Sequence, residues 1–201
     1  AALDDEAREW LDYVVHGARR MQRLVRDLLA YARLGNAGLK RAPVALDAVL
    51  DGVLDDLALR VASSGARVHR GPLPTVTADE VQMGQLLLNL VGNALKFAGQ
   101  RPPEVWLEAQ RDADGWRLRV RDAGLGFDAA EAQRIFEPFR RLAGAGRDDA
   151  EGTGIGLAVC KRIAERHGGW IRAESAPGEG ATFEVFLPDV LDDAEGQLAP
   201  P

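Results

Sequence analysis

Asn89 and Asn93 stand four residues apart in a run whose apolar spacing is helical, so their two amides share one face. An amide oxygen on that face can complete the octahedral oxygen shell of a Mg²⁺ ion whose other ligands are phosphate oxygens and water. Lys96 lies on nearly the same face, where its ammonium would help to neutralise a polyphosphate. Further along, Asp122 follows a strand-like alternation and precedes Gly124 and Gly126. Its carboxylate can accept a hydrogen bond from an exocyclic amine, while the glycines let backbone approach a flat base. Asp-Ala-Gly is also an ordinary turn sequence, and by itself the segment supports either reading.

These groups need a scaffold, and the periodicities supply one. Asp79 is placed to cap a helix whose apolar face includes Val81, Met83, Leu86, Leu87, Leu90 and Val91. Val105, Leu107 and Ala109 alternate with polar residues, as do Trp116, Leu118 and Val120, which predicts a hairpin turning around Asp112 to Gly115. A helix is expected through Leu46 to Ala62 and another from about Gly154 to His167. Helical residues are expected near Ala129 to Phe136, and short strands at Val44 to Leu46, Arg67 to His69, Thr75 to Thr77, Trp170 to Ala173 and Thr182 to Leu187. Strands and helices in this mixture predict an α+β fold, a two-layer α/β sandwich.

Ahead of it, residues 4–34 read as one long helix, because Leu11, Val14, Ala18, Met21, Val25, Leu28 and Ala32 are spaced alternately three and four apart. Val15, Leu24 and Leu29 widen the stripe, which suits a helix of a four-helix bundle. Packing on its own domain is the other way to cover such a face. Gly35, Asn36 and Gly38 favour the bundle, since they end the helix before a separate unit. Three parts are therefore expected: residues 1–37 as a bundle helix, 38–188 as the sandwich, and 189–201 as a mobile tail.

Composition sets bounds. An apolar share of 46% in 201 residues suffices for a sizeable core, and a net charge of −6 leaves no electrostatic footprint for nucleic acid. One cysteine, Cys160, allows neither an intrachain disulfide nor a multi-cysteine metal site, which fits a reducing cytoplasm. It lies in an apolar helical stretch and reads as core. No apolar run approaches the roughly 18 residues needed to span a bilayer, so no membrane contact is expected of this region.

Four segments follow one another: Asn89-Leu90-Val91-Gly92-Asn93-Ala94-Leu95-Lys96-Phe97, Asp122-Ala123-Gly124-Leu125-Gly126, Phe136-Glu137-Pro138-Phe139 and Gly152-Thr153-Gly154-Ile155-Gly156-Leu157. They resemble the N, G1, F and G2 boxes of the ATP-binding domain of sensor histidine kinases. One Gly-rich segment is weak evidence, but four in this order and spacing are hard to produce by chance. The resemblance implies a Bergerat-type ATP-binding fold of the GHKL/HATPase group, with ATP and Mg²⁺ as ligands. It implies that Asn93 is the Mg²⁺ ligand, that Asn89 and Lys96 share the catalytic work, and that Asp122 binds the adenine N6 amine and selects ATP over GTP. Phe97 resembles the aromatic position beside the nucleotide, with a plain core role as the alternative. Thr182, in Gly178-Glu179-Gly180-Ala181-Thr182-Phe183, matches the final adenine-pocket threonine.

Residues 137–153 resemble the ATP lid, running from Phe136 and Phe139 through Gly144 and Gly146 to Gly152, Thr153 and Gly154. In that setting Gly152, Gly154 and Gly156, flanked by Ile155 and Leu157, present backbone N–H groups and a helix N-terminus to phosphates. Arg140 or Arg141 supplies a cation to the γ-phosphate. The segments near Arg19 to Leu34 and Ala158 to Gly169 resemble phytochrome-like and related PAS or GAF-containing kinases.

A sensor kinase of this type phosphorylates a histidine followed by an acidic residue and, a few positions on, a proline. His16 is followed by Gly17-Ala18-Arg19-Arg20-Met21 and lacks that motif, so it reads as an ordinary helix residue. His69 falls in a short strand, and His167 matches the family's helix end. The expectation is a histidine kinase fragment unable to autophosphorylate alone: the second bundle helix plus the catalytic domain. Its partners would be a phosphoacceptor helix absent from this chain, a response-regulator receiver domain and a second copy in a homodimer. The alternatives are a related GHKL ATPase, an anti-sigma-factor-type serine kinase, or a nucleotide-independent dimerisation or docking module. Asn89 disfavours the ATPase, since related ATPases carry a Glu there and an amide cannot act as a general base.

Overall fold

The computed structural model describes residues 38–142 and 152–189, together with helical positions 10, 11, 14, 15, 17, 18, 21, 22, 24, 25, 28, 29, 31 and 32. His16, the helix-ending Gly35 and Asn36, the lid glycines Gly144 and Gly146, and the tail from residue 190 lie outside the described residues. The helical positions between 10 and 32 (α1) carry the heptad stripe, and Leu11, Val14, Met21, Val25 and Leu28 are all exposed. The stripe is thus not spent on the chain's own sandwich. Among its described residues, Tyr31 at the end of α1 is partly buried against the core.

The sandwich begins with β1 (Ala42–Ala45), α2 (Leu46–Asp56), α3 (Ala58–Ser64), β2 (Arg67–Arg70), β3 (Thr75–Ala78) and α4 (Glu80–Lys96). It continues with β4 (Glu104–Asp112), β5 (Gly115–Asp122), 3₁₀ turns at Ala129–Glu131 and Arg134–Phe136, α5 (Gly156–Arg166), β6 (Trp170–Ser175) and β7 (Ala181–Pro188). β1 and β3 form a small antiparallel pair, while the main sheet has the order β2-β4-β5-β7-β6 and only its β2–β4 pair is parallel. Period-two alternation sends Val105, Leu107, Leu118, Val120, Phe183, Val185 and Leu187 inward. They meet the apolar faces of α4, through Leu86, Leu87, Leu90 and Val91, and of α5, through Val159, Cys160 and Ile163. This is the expected two-layer sandwich.

The expected hairpin turns with Asp112 opposite Gly115. The helix expected over 46–62 is interrupted at Leu57, whose ψ of 2° leaves the helical range. Leu57 stays in the core after Leu50 and Val53, whereas α3 buries none of its residues and swings Leu59 into solvent at 87% exposure. The helical residues near 129–136 are 3₁₀ turns, not an α-helix.

Two buried groups lie on the helix faces. Burial pushes the Cys160 thiol up to about 12, and its sulfur lies 3.8 Å from the Leu86 carbonyl oxygen, so it is a core side chain with no reactive thiolate. His167, 3% exposed, places Nδ1 at 2.8 Å from the Ile163 carbonyl oxygen and Nε2 at 3.1 Å from the Asp79 N–H. These partners fix a neutral ring with the proton on Nδ1. Burial pushes the ring below its ordinary 6.5. Its stabilisation is therefore complete above about pH 6.5 and declines as the pH falls, because the unfolded chain takes up a proton that the folded ring resists. Urea midpoints measured from about pH 8 downward should show this decline in the wild type, and a His167→Gln chain should lack that component.

Candidate nucleotide-binding site

α4 is the floor of the site. Asp79 caps it, accepting from the Gln82 N–H at 3.2 Å, and its buried stripe holds it on the sheet. On its other side Asn89, Gly92, Asn93 and Lys96, spaced three and four apart, line a cavity of about 740 Å³. Asn89 Nδ2 donates to the Gly156 carbonyl oxygen at 3.2 Å, and that acceptor fixes which way the amide points. Its Oδ1 then receives Gln85 Nε2 at 3.4 Å. Asn89 thereby ties α4 to the start of α5, while the side chain of Asn93, one turn on, makes no hydrogen bond with the described residues. Lys96 Nζ lies 4.6 Å above the Phe97 ring, and a Cβ built on Gly152 would come within 2.7 Å of it.

The far end is built around Asp122, the last residue of β5, which is 8% exposed. Its Oδ1 accepts from the N–H groups of Gly124 at 2.8 Å and Ala181 at 3.2 Å. Burial nonetheless raises its pKa above the ordinary carboxylate range, against the pull of those amides. Oδ2 makes no hydrogen bond with the described residues. Gly180 makes this possible: it has φ of +79°, and a Cβ there would fall 2.0 Å from the Asp122 carbonyl oxygen.

The cavity collects most of the residues expected from sequence: Asn89, Asn93, Lys96, Phe97, Asp122, Gly126, Arg140, Arg141, Gly152, Thr153, Gly154, Ile155, Gly156 and Leu157 all line it. Four expected residues do not. Thr182 falls on the opposite face of β7, where Ala181 and Phe183 face the cavity, because strand side chains alternate. Gly124 stands behind the wall: its N–H orients Asp122, and a Cβ there would lie 2.3 Å from the Phe97 carbonyl oxygen. Phe136 is core, beside a second cleft that includes Tyr31. Phe139 is 57% exposed and adopts φ of +64°, a rare conformation for a bulky side chain, with its N–H bonded to the Gly154 carbonyl oxygen at 2.9 Å.

Arg140 and Arg141, equivalent in sequence, differ here. Arg140 Nη2 and Nε lie 2.7 and 3.2 Å from Glu131 Oε2, and that hydrogen bonding holds the Glu131 carboxyl below its usual range. Arg141 is exposed and lines the cavity. Sequence reasoning missed a further stretch of wall, Leu57, Arg60, Gln85 and Leu88. It extends the stripe on α4 one turn toward the N-terminus, away from Phe97, whose carbonyl accepts from the Leu125 N–H beside the Asp122 end. The order along α4 is therefore Asp122 end, Lys96 and Asn93, Asn89, then this extension.

A two-layer sandwich with one buried carboxylate at one end of the cavity and amides, a lysine and turn glycines at the other defines a nucleotide-binding domain. Residues 78–191 match the family described as histidine kinase-, DNA gyrase B-, and HSP90-like ATPase. The chain belongs to that family and is homologous to sensor histidine kinases. It is 40% identical over 187 residues to phytochrome-like protein Cph1 of Synechocystis sp., which covers 93% of this chain and 25% of that protein. Cyanobacterial phytochrome A of Nostoc sp. is 41% identical over 186 residues, covering 92% of this chain and 24% of that protein. The structure of full-length ShkA in complex with AMPPNP superposes with a TM-score of 0.69 at 34% identity, covering 94% of this chain and 40% of that one. The chain spans about a quarter of the length of these phytochrome relatives. Among the described residues no helix is long and apolar enough to cross a membrane.

Proposed function

We propose that this chain is the catalytic part of a sensor histidine kinase working in the cytoplasm: residues 38–188 bind MgATP, and residues 1–37 are the second helix of a dimerisation bundle. The γ-phosphoryl group passes to a histidine on a phosphoacceptor helix outside this chain, then to an aspartate of a response-regulator receiver domain. The exposed stripe on α1 is the face that meets the other bundle helices, in a homodimer.

One observation favours transfer over hydrolysis: Asn89 stands at the phosphate end with its amide engaged by Gly156 and Gln85, and no amide can take a proton from water. Asn93 suits a Mg²⁺ ligand, since it lines the cavity and its amide has no competing hydrogen-bond partner among the described residues. The ion would draw charge from the phosphate oxygens as the bond to the leaving group weakens. Asp122 holds the adenine amine, Lys96 neutralises phosphate charge, and the Gly152 to Gly156 turn offers backbone N–H groups. The acceptor enters over Leu57, Arg60 and Leu88, the end of the cavity farthest from Asp122.

Of the two arginines, Arg141 is assigned to the γ-phosphate, because it is exposed where it lines the cavity whereas Arg140 is partly buried. Arg141→Ala is expected to weaken ATP binding about tenfold and ADP binding much less, read by titration calorimetry. The whole reading is tested by following γ-labelled ATP with Mg²⁺, this chain and an added phosphoacceptor helix. Transfer to the helix with little free phosphate is expected. Rapid free phosphate would move the chain to the ATPases, and label on the chain itself would make one of its own histidines the acceptor.

A further inference from the structure

The segment entering β1 is fastened where α4 begins and α5 ends. The Lys40 N–H donates to Asp79 Oδ2 at 3.1 Å, and Arg41 Nη2 donates to the Arg166 carbonyl oxygen at 3.3 Å. Asp79 serves three partners at once: Oδ2 holds Lys40, Oδ1 caps α4 through the Gln82 N–H, and its own N–H donates to His167 Nε2. Asp79, Gln82 and His167 are all buried, and Gln82 Oε1 has no hydrogen-bond partner there. Apart from Asp122, they are the buried polar side chains among the described residues. Such a cluster is sensitive to one proton, because each member's bonding depends on the others.

We propose that this cluster is a proton-operated clasp on the segment that joins α1 to the sandwich: a proton on His167 draws the Asp79 carboxylate away from Lys40 and frees the segment. With Nδ1–H bound to the Ile163 carbonyl oxygen, a second proton can sit only on Nε2. Nε2 then changes from acceptor to donor and faces the Asp79 N–H, two donors in contact. The carboxylate of the same residue is the available anion, and turning it to the imidazolium takes Oδ2 from the Lys40 amide. The charged groups acting on the ring are Asp79, which favours the proton, and Arg41 and Arg166, which oppose it, in addition to burial. Arg41 belongs to the segment being held. Its departure would remove one opposing charge, so release and protonation reinforce one another.

The consequence rests on the function proposed above. α4 and α5 carry Asn89, Asn93, Lys96 and the Gly156 turn, and the clasp sits at their other ends. Releasing it changes how far the sandwich can travel to its acceptor while leaving the cavity wall in place.

The test uses the 201-residue chain. Nuclear magnetic resonance would follow the His167 ring and the Lys40 amide together as the pH is lowered, with MgATP affinity measured at both ends of the range. The Lys40 amide should lose exchange protection, after correction for intrinsic rates, with the same midpoint as the ring. His167→Gln offers an amide acceptor and an amide donor without a titratable proton, and should keep Lys40 protected throughout. Asp79→Asn keeps a capping oxygen but no charge to draw, and should uncouple Lys40 from the ring. Constant Lys40 protection across the wild-type ring titration would overturn the clasp, as would an unchanged pH response in His167→Gln. Absence of MgATP binding at every pH would instead remove the functional reading and leave the clasp result standing.

Discussion

Asp122→Asn should leave a folded protein that has lost most of its affinity for ATP. The carboxamide oxygen can still accept from the Gly124 and Ala181 amides, so the β5–β7 junction keeps its hydrogen bonds. What changes is the second atom, which becomes an N–H donor where the proposed adenine amine, itself a donor, would sit. A hydrogen bond to a charged partner contributes about 1.5–3 kcal/mol, so ATP should bind about 10- to 100-fold more weakly. GTP presents a carbonyl oxygen at that corner of the base and should lose far less, which makes competition between the two nucleotides the decisive measurement. Unchanged ATP affinity would put the base elsewhere. The wild type should also lose ATP at a higher pH than an exposed aspartate would predict, since burial raises the Asp122 pKa and protonation removes its charge.

Gly180→Ala should give a large loss of stability, matched at this site by Gly126, which has φ of +61° and would place a Cβ 2.0 Å from the Ala176 carbonyl oxygen. Residue 180 must hold φ of +79° and also keep a Cβ that would fall 2.0 Å from the Asp122 carbonyl oxygen. The left-handed conformation costs about 1–2 kcal/mol and a forced overlap about 1–3 kcal/mol more. Together they lower Tm by about 4–20 °C in a chain of this size. Gly178 provides the control, because it has φ of +82° and nothing within 4 Å of a built Cβ. Gly178→Ala should show only the conformational part, and the difference between the two variants measures the collision. Equal losses would mean that the wall yields at Gly180.

Comparison of the two ends of the cavity shows what was legible in the sequence. α4 and the β4–β5 hairpin follow from local periodicity, and with them the positions of Asn89, Asn93, Lys96 and Asp122. Thr182 misled because its residue type matched the expected threonine, while the count from Gly180 puts Ala181 on the inner face and lets a backbone N–H hold Asp122. Backbone donors carry no sequence signal. Nor could sequence show that Arg140 pairs with Glu131, nine residues away and brought near by a 3₁₀ turn. Leu57 and Arg60 join the wall only because the helix expected over 46–62 breaks at Leu57. Phe139 and Phe136 read as nucleotide neighbours by their motif, but one is held outward by its backbone and the other fills the core.

The hydrogen bond from the Phe139 N–H to the Gly154 carbonyl oxygen joins both stems of the lid segment at its base. A Cβ on Gly154 would fall 2.8 Å from Phe139 and Arg140 backbone atoms, so the two strands of chain are in contact there. The Phe139–Gly154 hydrogen bond therefore closes the chain between them into a ring, whose described residues Leu142, Gly152 and Thr153 pack on the core or line the cavity. Ring closure depends only logarithmically on length, each doubling costing about 0.6 kcal/mol. Related chains could lengthen or shorten this ring between Leu142 and Gly152 at little cost, while Arg141 and Gly152 stay at the cavity wall.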